Sequence, residues 1–314
     1  MVSSPSVAVI DIGSNSIKVL VATRGDGGSV LPLYVRSLDA RISAGISAGT
    51  PRLSEHGMAS GLDAVRTLLA EAAPFSPTQI ALVATSAVRD AENGAEFASQ
   101  VRAATGHAIR ILTGEEEANL IGRGLTADPS LRGLRDFYVF DLGGGSLECL
   151  AFRDRQIEQA VSLQLGCVRL TEKFLPDPAQ PLAETSRHAI AAYTRDTFAK
   201  SGFTFSLPAA ATAVGTGGTV ATARAVLGAR HSHPFDATDP TVTLVQLREL
   251  RYWLGPLPLA ARKNIPGLPP ARADVFPTAL VTLIALAELG GFSAFQSSLC
   301  NLRYGIAANL LQSQ

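Results

Sequence analysis

The chain has 314 residues, 46% hydrophobic and 17% charged, with 27 Lys+Arg against 27 Asp+Glu and therefore no formal net charge. That length fits two domains of ordinary size, and the composition is that of a soluble globular protein. A balanced charge excludes a global basic field that would recruit nucleic acid or a membrane, so a polyanionic partner needs a local patch.

Residues 7–12, 17–23 and 30–37 are apolar, β-branched runs separated by Gly13-Ser14-Asn15 and Gly25-Asp26-Gly27-Gly28, the pattern of an antiparallel meander. A Gly/Ser/Ala-rich loop covers 41–51. After Ser54, the residues Met58, Leu62, Val65, Leu68 and Leu69 follow the helical period as far as Pro74. A buried strand is expected at 80–85, a helix at 92–104 closed by Gly106, and a strand at 109–112. The next helix begins at Thr113-Gly114-Glu115-Glu116-Glu117-Ala118. With Thr113 as N-cap, Glu116 falls at the third helical position and completes a capping box. Glu117 borders the core-facing Ala118, Ile121 and Leu125. It reads either as a shielded general base or as one of three acids favouring the helix dipole. The polar stretch 128–135 is the candidate linker, giving domains 1–126 and 127–314, with a last helix near 302–314 able to pack back on the first domain.

Beyond the linker the order repeats, with strands near 137–142, 147–152 and 157–165 and helices at 168–174 and 183–200. Asp141-Leu142-Gly143-Gly144-Gly145-Ser146-Leu147-Glu148 forms a glycine hairpin whose N–H groups suit phosphate oxygens and whose carboxylates suit hydrated Mg²⁺. Alone, it equally reads as an ordinary turn with two solvated acids. Its second copy, Asp11-Ile12-Gly13-Ser14-Asn15-Ser16 between two strands, makes it an internal repeat. A strand at 209–214 runs into Gly215-Thr216-Gly217-Gly218-Thr219 and a helix, which is an anion seat or a tight turn. His231 and His233 lack further ligands at zinc spacing. Helices near 243–254 and 271–289, a strand at 293–299 and a helix at 302–311 finish the chain. Cys149, Cys167 and Cys300 are odd in number, without CxxC spacing, and are expected buried and reduced. The longest apolar stretch, 278–289, contains Glu288 and is too short for a bilayer, and the N-terminus carries no leader pattern, so a cytoplasmic protein is expected.

Six ordered stretches carry a resemblance: residues 11–16, Thr85-Ser86-Ala87-Val88-Arg89, 113–118, 141–148, Gly166-Cys167-Val168-Arg169-Leu170-Thr171-Glu172 and 215–219. Together they resemble the exopolyphosphatase / guanosine pentaphosphate phosphohydrolase family over nearly the whole chain. The resemblance implies an α/β fold of two ribonuclease-H-like domains, of the actin, sugar kinase and Hsp70 ATPase superfamily, with an interdomain cleft. It implies release of terminal orthophosphate from inorganic polyphosphate or guanosine pentaphosphate, with Mg²⁺ (or Mn²⁺) as cofactor, no nucleic-acid or membrane partner, and a possible homodimer. Carried over, Glu117 matches the water-activating base; Asp141, Glu148 and Asp11 the metal ligands; and Ser14, Asn15, Ser16, Arg89, Gly143, Gly144, Gly145, Ser146, Gly217 and Gly218 the phosphate contacts. The chain stops short of the extra C-terminal helical domains of longer members, which implies distributive release. A phosphotransferase of the same fold and a non-catalytic alarmone or polyphosphate sensor are the competing readings.

Overall fold

The computed structural model of the chain describes residues 5–46 and 50–312. They divide into two units, one running to Gly133 and resuming at Cys300, the other spanning Leu134–Leu299. The division thus falls later than the expected 126/127, because a 3₁₀ turn at Pro129–Leu131 buries Leu131 and keeps the segment with the first unit.

In the first unit β1 (Ser6–Ile12), β2 (Ile17–Arg24) and β3 (Val30–Leu38) form the expected meander. They are followed by α1 (Glu55–Ala72), β4 (Gln79–Ala84), α2 (Ser86–Asp90), α3 (Gly94–Thr105), β5 (Ile109–Ile111) and α4 (Gly114–Thr126). The sheet order is β3-β2-β1-β4-β5, the first three strands antiparallel and the last two parallel to β1. β1 is buried at every position, which is why its sequence runs continuously apolar instead of alternating. Ser54 caps α1 by accepting from Gly57 N at 3.0 Å, and Met58, Val65 and Leu68 turn inward from that helix.

The second unit repeats this plan with β6 (Phe137–Leu142), β7 (Leu147–Arg153), β8 (Gln156–Leu163), α5 (Cys167–Phe174), α6 (Glu184–Lys200), β9 (Thr212–Thr216) and α7 (Gly217–Arg230). β10 (Thr241–Thr243), α8 (Leu244–Leu254), α9 (Leu259–Arg262), α10 (Phe276–Gly290) and β11 (Ala294–Ser297) complete it. From β8 the order is β8-β7-β6-β9-β11-β10, the order of the first sheet plus an antiparallel edge strand. Both units therefore have ribonuclease-H-like topology. α10 is apolar all round and buried from Phe276 to Ala287, as a helix through the middle of a core should be. No helix among the described residues is long and apolar enough to cross a membrane.

The last helix, α11 (Leu302–Gln312), belongs to the first unit and packs on α4 and β1. Two glycines allow the helices to touch backbone to backbone: a Cβ on Gly124 would overlap Asn301 O, and one on Gly305 would overlap Leu120 O. Buried Arg303 donates from Nη1 to Val19 O at 2.9 Å, tying α11 to β2.

Three local expectations change. β9 starts at Thr212 and takes in Gly215 and Thr216, because Pro208 O accepts from Ala211 N in a turn and β6 pairs Phe140 with Gly215 and Asp141 with Thr216. α10 starts at Phe276, where Pro277 fits a first turn that needs no N–H from it. Cys149 and Cys167 are buried, but Cys300 is partly exposed; burial, with Glu148 adding to it, pushes the Cys149 thiol well above its ordinary value.

Candidate active site

In the second unit Asp141 and Glu148 are direct cross-strand partners, and the turn between them closes with Gly143 N donating to Ser146 O at 3.0 Å. The carbonyls of this turn are taken by the start of α5. Cys167 N reaches Gly143 O at 3.0 Å, Val168 N reaches Gly144 O at 2.9 Å, and Arg169 Nε reaches Gly145 O at 2.9 Å. Gly166 permits this approach, since a Cβ there would collide with the Gly144 carbonyl. In a trans peptide the N–H points opposite to the preceding C=O, so the N–H groups of Gly144, Gly145 and Ser146 face away from α5. None of the three has an acceptor among the described residues. Three convergent free donors make an anion-binding concavity.

Next to this turn, β9 pairs Thr216 with Asp141 and passes into α7. Gly217 has φ +76°, and a Cβ there would overlap Asp141 Oδ1 and lie 2.9 Å from its Cγ. The N-cap Thr216 makes no side-chain cap bond, which leaves the first N–H groups of α7 open to a ligand. Thr219 Oγ1 donates to Leu142 O at 2.8 Å and fixes the loop to β6. The guanidinium of Arg272 lies across Gly218, with Nη1 2.7 Å from where a Cβ would stand. Arg262 holds the segment that carries it. Almost wholly buried, Arg262 donates to Ala273 O at 2.9 Å, Pro178 O at 2.7 Å and Gln180 O at 3.0 Å; burial pulls its guanidinium below the ordinary value, with Asp274 opposing.

The donor set fits a hard divalent cation. Asp141 and Glu148 offer only oxygen, and Ser162 Oγ donates to Glu148 Oε1 at 2.7 Å, fixing that carboxylate. No group of three or more His, Cys, Asp or Glu that could hold a metal occurs among the described residues. An ion here would thus take two carboxylates from β6 and β7 and complete its shell with substrate oxygens and water, the usual habit of Mg²⁺.

The first unit builds the same hairpin from β1 and β2. Asp11 pairs in register with Lys18, and Gly13 N donates to Ser16 O at 3.2 Å. Here the following loop takes the carbonyls: Ser43 N and Oγ reach Ser14 O, and Arg41 N reaches Asn15 O at 2.9 Å. Arg41 Nε also donates to Asn15 Oδ1 at 3.2 Å, while buried Asn15 Nδ2 has no partner. A buried amide donor left open beside outward-facing N–H groups suits an anion. Ser14 Oγ meets Ser86 Oγ at 3.2 Å, joining the hairpin to α2.

α4 starts with the expected capping box, in which Glu116 accepts from Thr113 N at 2.9 Å. The Thr113 backbone, aided by Arg110, holds the Glu116 carboxyl below its usual range. Glu117 is instead buried at 6% exposure and accepts from Arg89 Nη1 at 2.7 Å. Arg89 also donates to Leu112 O at 3.2 Å and lies 3.4 Å from Asp90. Of the two readings of Glu117, a solvated helix-dipole acid fails, because the side chain is shielded and bound to a guanidinium.

The family model for the Ppx/GppA phosphatase family matches residues 9–314. The chain belongs to the Ppx/GppA phosphatase family. It is 30% identical over 309 residues to a guanosine-5'-triphosphate,3'-diphosphate pyrophosphatase of Aliivibrio fischeri (strain ATCC 700601 / ES114), covering 98% of this chain and 60% of that relative, so it spans less than two thirds of the relative's length. The fold is shared with solved structures. An exopolyphosphatase-like protein superposes with a TM-score of 0.88 at 23% identity, with 98% of both chains covered. An exopolyphosphatase from Cytophaga hutchinsonii ATCC 33406 superposes with a TM-score of 0.84 at 20% identity, again over 98% of both.

Within each unit the family motifs gather at strand ends. Asp141, Glu148, Gly143 to Ser146, Gly217 and Gly218 meet in the second; Asp11, Ser14, Asn15, Ser16 and α2 meet in the first, with Arg89 turned onto Glu117. Arg272, Arg262 and Arg41 escaped sequence reading. The one available signal for Arg272 was a cation placed between Pro269-Pro270 and a largely apolar helix.

Proposed function

We propose that this chain hydrolyses the terminal phosphoanhydride of inorganic polyphosphate or guanosine pentaphosphate, acting in the cytoplasm. The observation that carries the reading is the set of unsatisfied donors at Gly144, Gly145, Ser146 and the start of α7, ringed by Asp141, Glu148 and Arg272. Such a set suits phosphate oxygens.

In the proposed reaction Glu117 accepts a proton from a water molecule as its oxygen attacks the terminal phosphorus. The bridging P–O bond breaks, orthophosphate forms, and the shortened chain leaves as an oxyanion. Arg89 holds the Glu117 carboxylate in one rotamer, and the glycine N–H groups and Arg272 hold the non-bridging oxygens, so catalysis rests on positioning and charge stabilisation. Asp141 and Glu148 would hold Mg²⁺ or Mn²⁺, which when bound supplies further charge neutralisation. The family relative's name points to guanosine pentaphosphate and the solved neighbour's to polyphosphate.

The test is orthophosphate release from each substrate, with Mg²⁺ and no added acceptor. Release from either supports hydrolysis. Release only with an added alcohol would mark a phosphotransferase, and tight binding without release would mark a sensor.

A further inference from the structure

The second unit carries a cluster of cations that the reading above does not use. Two adjoining concavities of about 150 Å³ each share Arg187 and Arg251, the first lying between α6, α8 and α10 and the second between the start of α6 and the end of α8. Glu288, at the edge of the first, lies about 18 Å along α10 from Phe276 at 1.5 Å per residue.

The charges are incompletely matched. Glu288 accepts from Arg195 Nη2 at 2.9 Å and from Arg248 Nη2 at 3.0 Å, spending one carboxylate on two guanidiniums. Burial pushes the Glu288 carboxyl up, but the two arginines outweigh it and hold it below the usual range. Arg187 is paired with Glu184 through Nε at 2.7 Å. Arg251 makes no hydrogen-bonded ion pair among the described residues, although the Glu184 charge acts on it, and its Nε is buried without a hydrogen bond. Four arginines against two carboxylates leave a local excess of two positive charges in a neutral protein. The last turn of α8 favours a cation, which explains the presence of Arg251 but leaves its buried Nε without an acceptor.

The surroundings define what would fit. Ala191, Val281 and Ile284 give the first concavity an apolar floor, and Tyr252, 81% exposed, stands at the rim of the second. An exposed ring beside a guanidinium fork suits a planar group joined to a dianionic phosphate.

We infer that the second concavity is a binding site for a phosphate monoester carrying a planar ring, the class of nucleoside monophosphates, with the phosphate on Arg251 and Arg187 and the ring on Tyr252. Calorimetric titration of the intact chain with adenosine 5'-monophosphate, ribose 5-phosphate, orthophosphate and adenosine tests it. Adenosine monophosphate should saturate one site and bind more tightly than ribose 5-phosphate or orthophosphate, and adenosine should not bind. Arg251→Ala should weaken it about tenfold, as expected for loss of a charge-assisted fork. Tyr252→Ala should weaken the nucleotide but leave orthophosphate unchanged. Glu184→Gln removes the carboxylate that competes for Arg187 and should tighten binding severalfold, an outcome that a purely structural ion-pair cluster does not produce. Arg272→Ala should leave the affinity unchanged, which separates this site from the glycine loops. Absence of binding at millimolar nucleotide, binding indifferent to both Arg251→Ala and Glu184→Gln, or binding abolished by Arg272→Ala would each overturn the assignment. Equal affinity for orthophosphate and adenosine monophosphate would overturn the ring contact.

Discussion

Gly217→Ala puts the geometry of the candidate site to a quantitative test. At φ +76° an alanine carries a left-handed penalty of roughly 1–2 kcal/mol, partly offset by about 0.4–1 kcal/mol from a less flexible unfolded chain. Its Cβ must also displace Asp141, whose Cγ would lie 2.9 Å away where ordinary contact begins at 3.4 Å. The carboxylate has to withdraw by about 1 Å, and overpacking of this kind costs roughly 1–3 kcal/mol more. Gly291→Ala is the control, since Gly291 has φ +67° in the same unit and open space around it. Denaturant unfolding should therefore show Gly217→Ala less stable than Gly291→Ala by about 1–3 kcal/mol. Phosphate release per folded molecule should fall by about 10² in Gly217→Ala, the cost of misplacing a reacting group by 1 Å, and stay near wild type in Gly291→Ala. Equal stability of the two variants with intact turnover in both would refute the claim that Gly217 exists to admit Asp141.

Glu117→Gln should remain folded and lose about 10²–10⁴ in turnover, the range for a positioned base; near wild-type rates in a folded protein would remove that role. Arg89→Ala leaves the Glu117 carboxylate without its guanidinium, and since the pair is only partly buried the stability loss should be about 1–3 kcal/mol, below the full cost of breaking a buried pair, together with lost activity. Unchanged melting with impaired kinetics would make Arg89 a substrate contact alone. Arg272→Ala should raise KM or lower turnover on every phosphate-chain substrate while leaving thermal stability intact, because no described residue bonds its guanidinium; a large stability loss would make it structural. Excess chelator should abolish phosphate release and Mg²⁺ or Mn²⁺ should restore it, whereas full activity without divalent ions would rule out the role of Asp141 and Glu148.

The elements that were legible share a physical cause. Continuous apolar runs such as 7–12 and 137–142 lie in strands covered on both faces, and burial leaves them little choice of residue. The Thr113–Glu116 box was legible because a cap is satisfied within four residues. The hairpin repeat was legible because its turn demands particular residues whatever surrounds it. Short segments were not: β10 and α9, three and four residues long, carry no period and exist through contacts made elsewhere in the chain. The strand near 209 was placed too early because apolar content cannot say which residues pair with β6; the Pro208 turn and the Asp141 to Thr216 register decide that.

By itself the sequence determined the two-unit α/β plan and the family, and it supplied the residue types proposed for phosphate and metal, because periodicity, caps and glycine turns are local properties. Only the tertiary structure decided which donors are free. The start of α5 and the loop at 41–43 consume the hairpin carbonyls and so turn the N–H groups outward, while Arg89 closes on Glu117 from a separate helix and Arg272 reaches Gly218 across more than fifty residues of chain. Whether a polar group is satisfied depends on partners distant in sequence, and no local pattern encodes them.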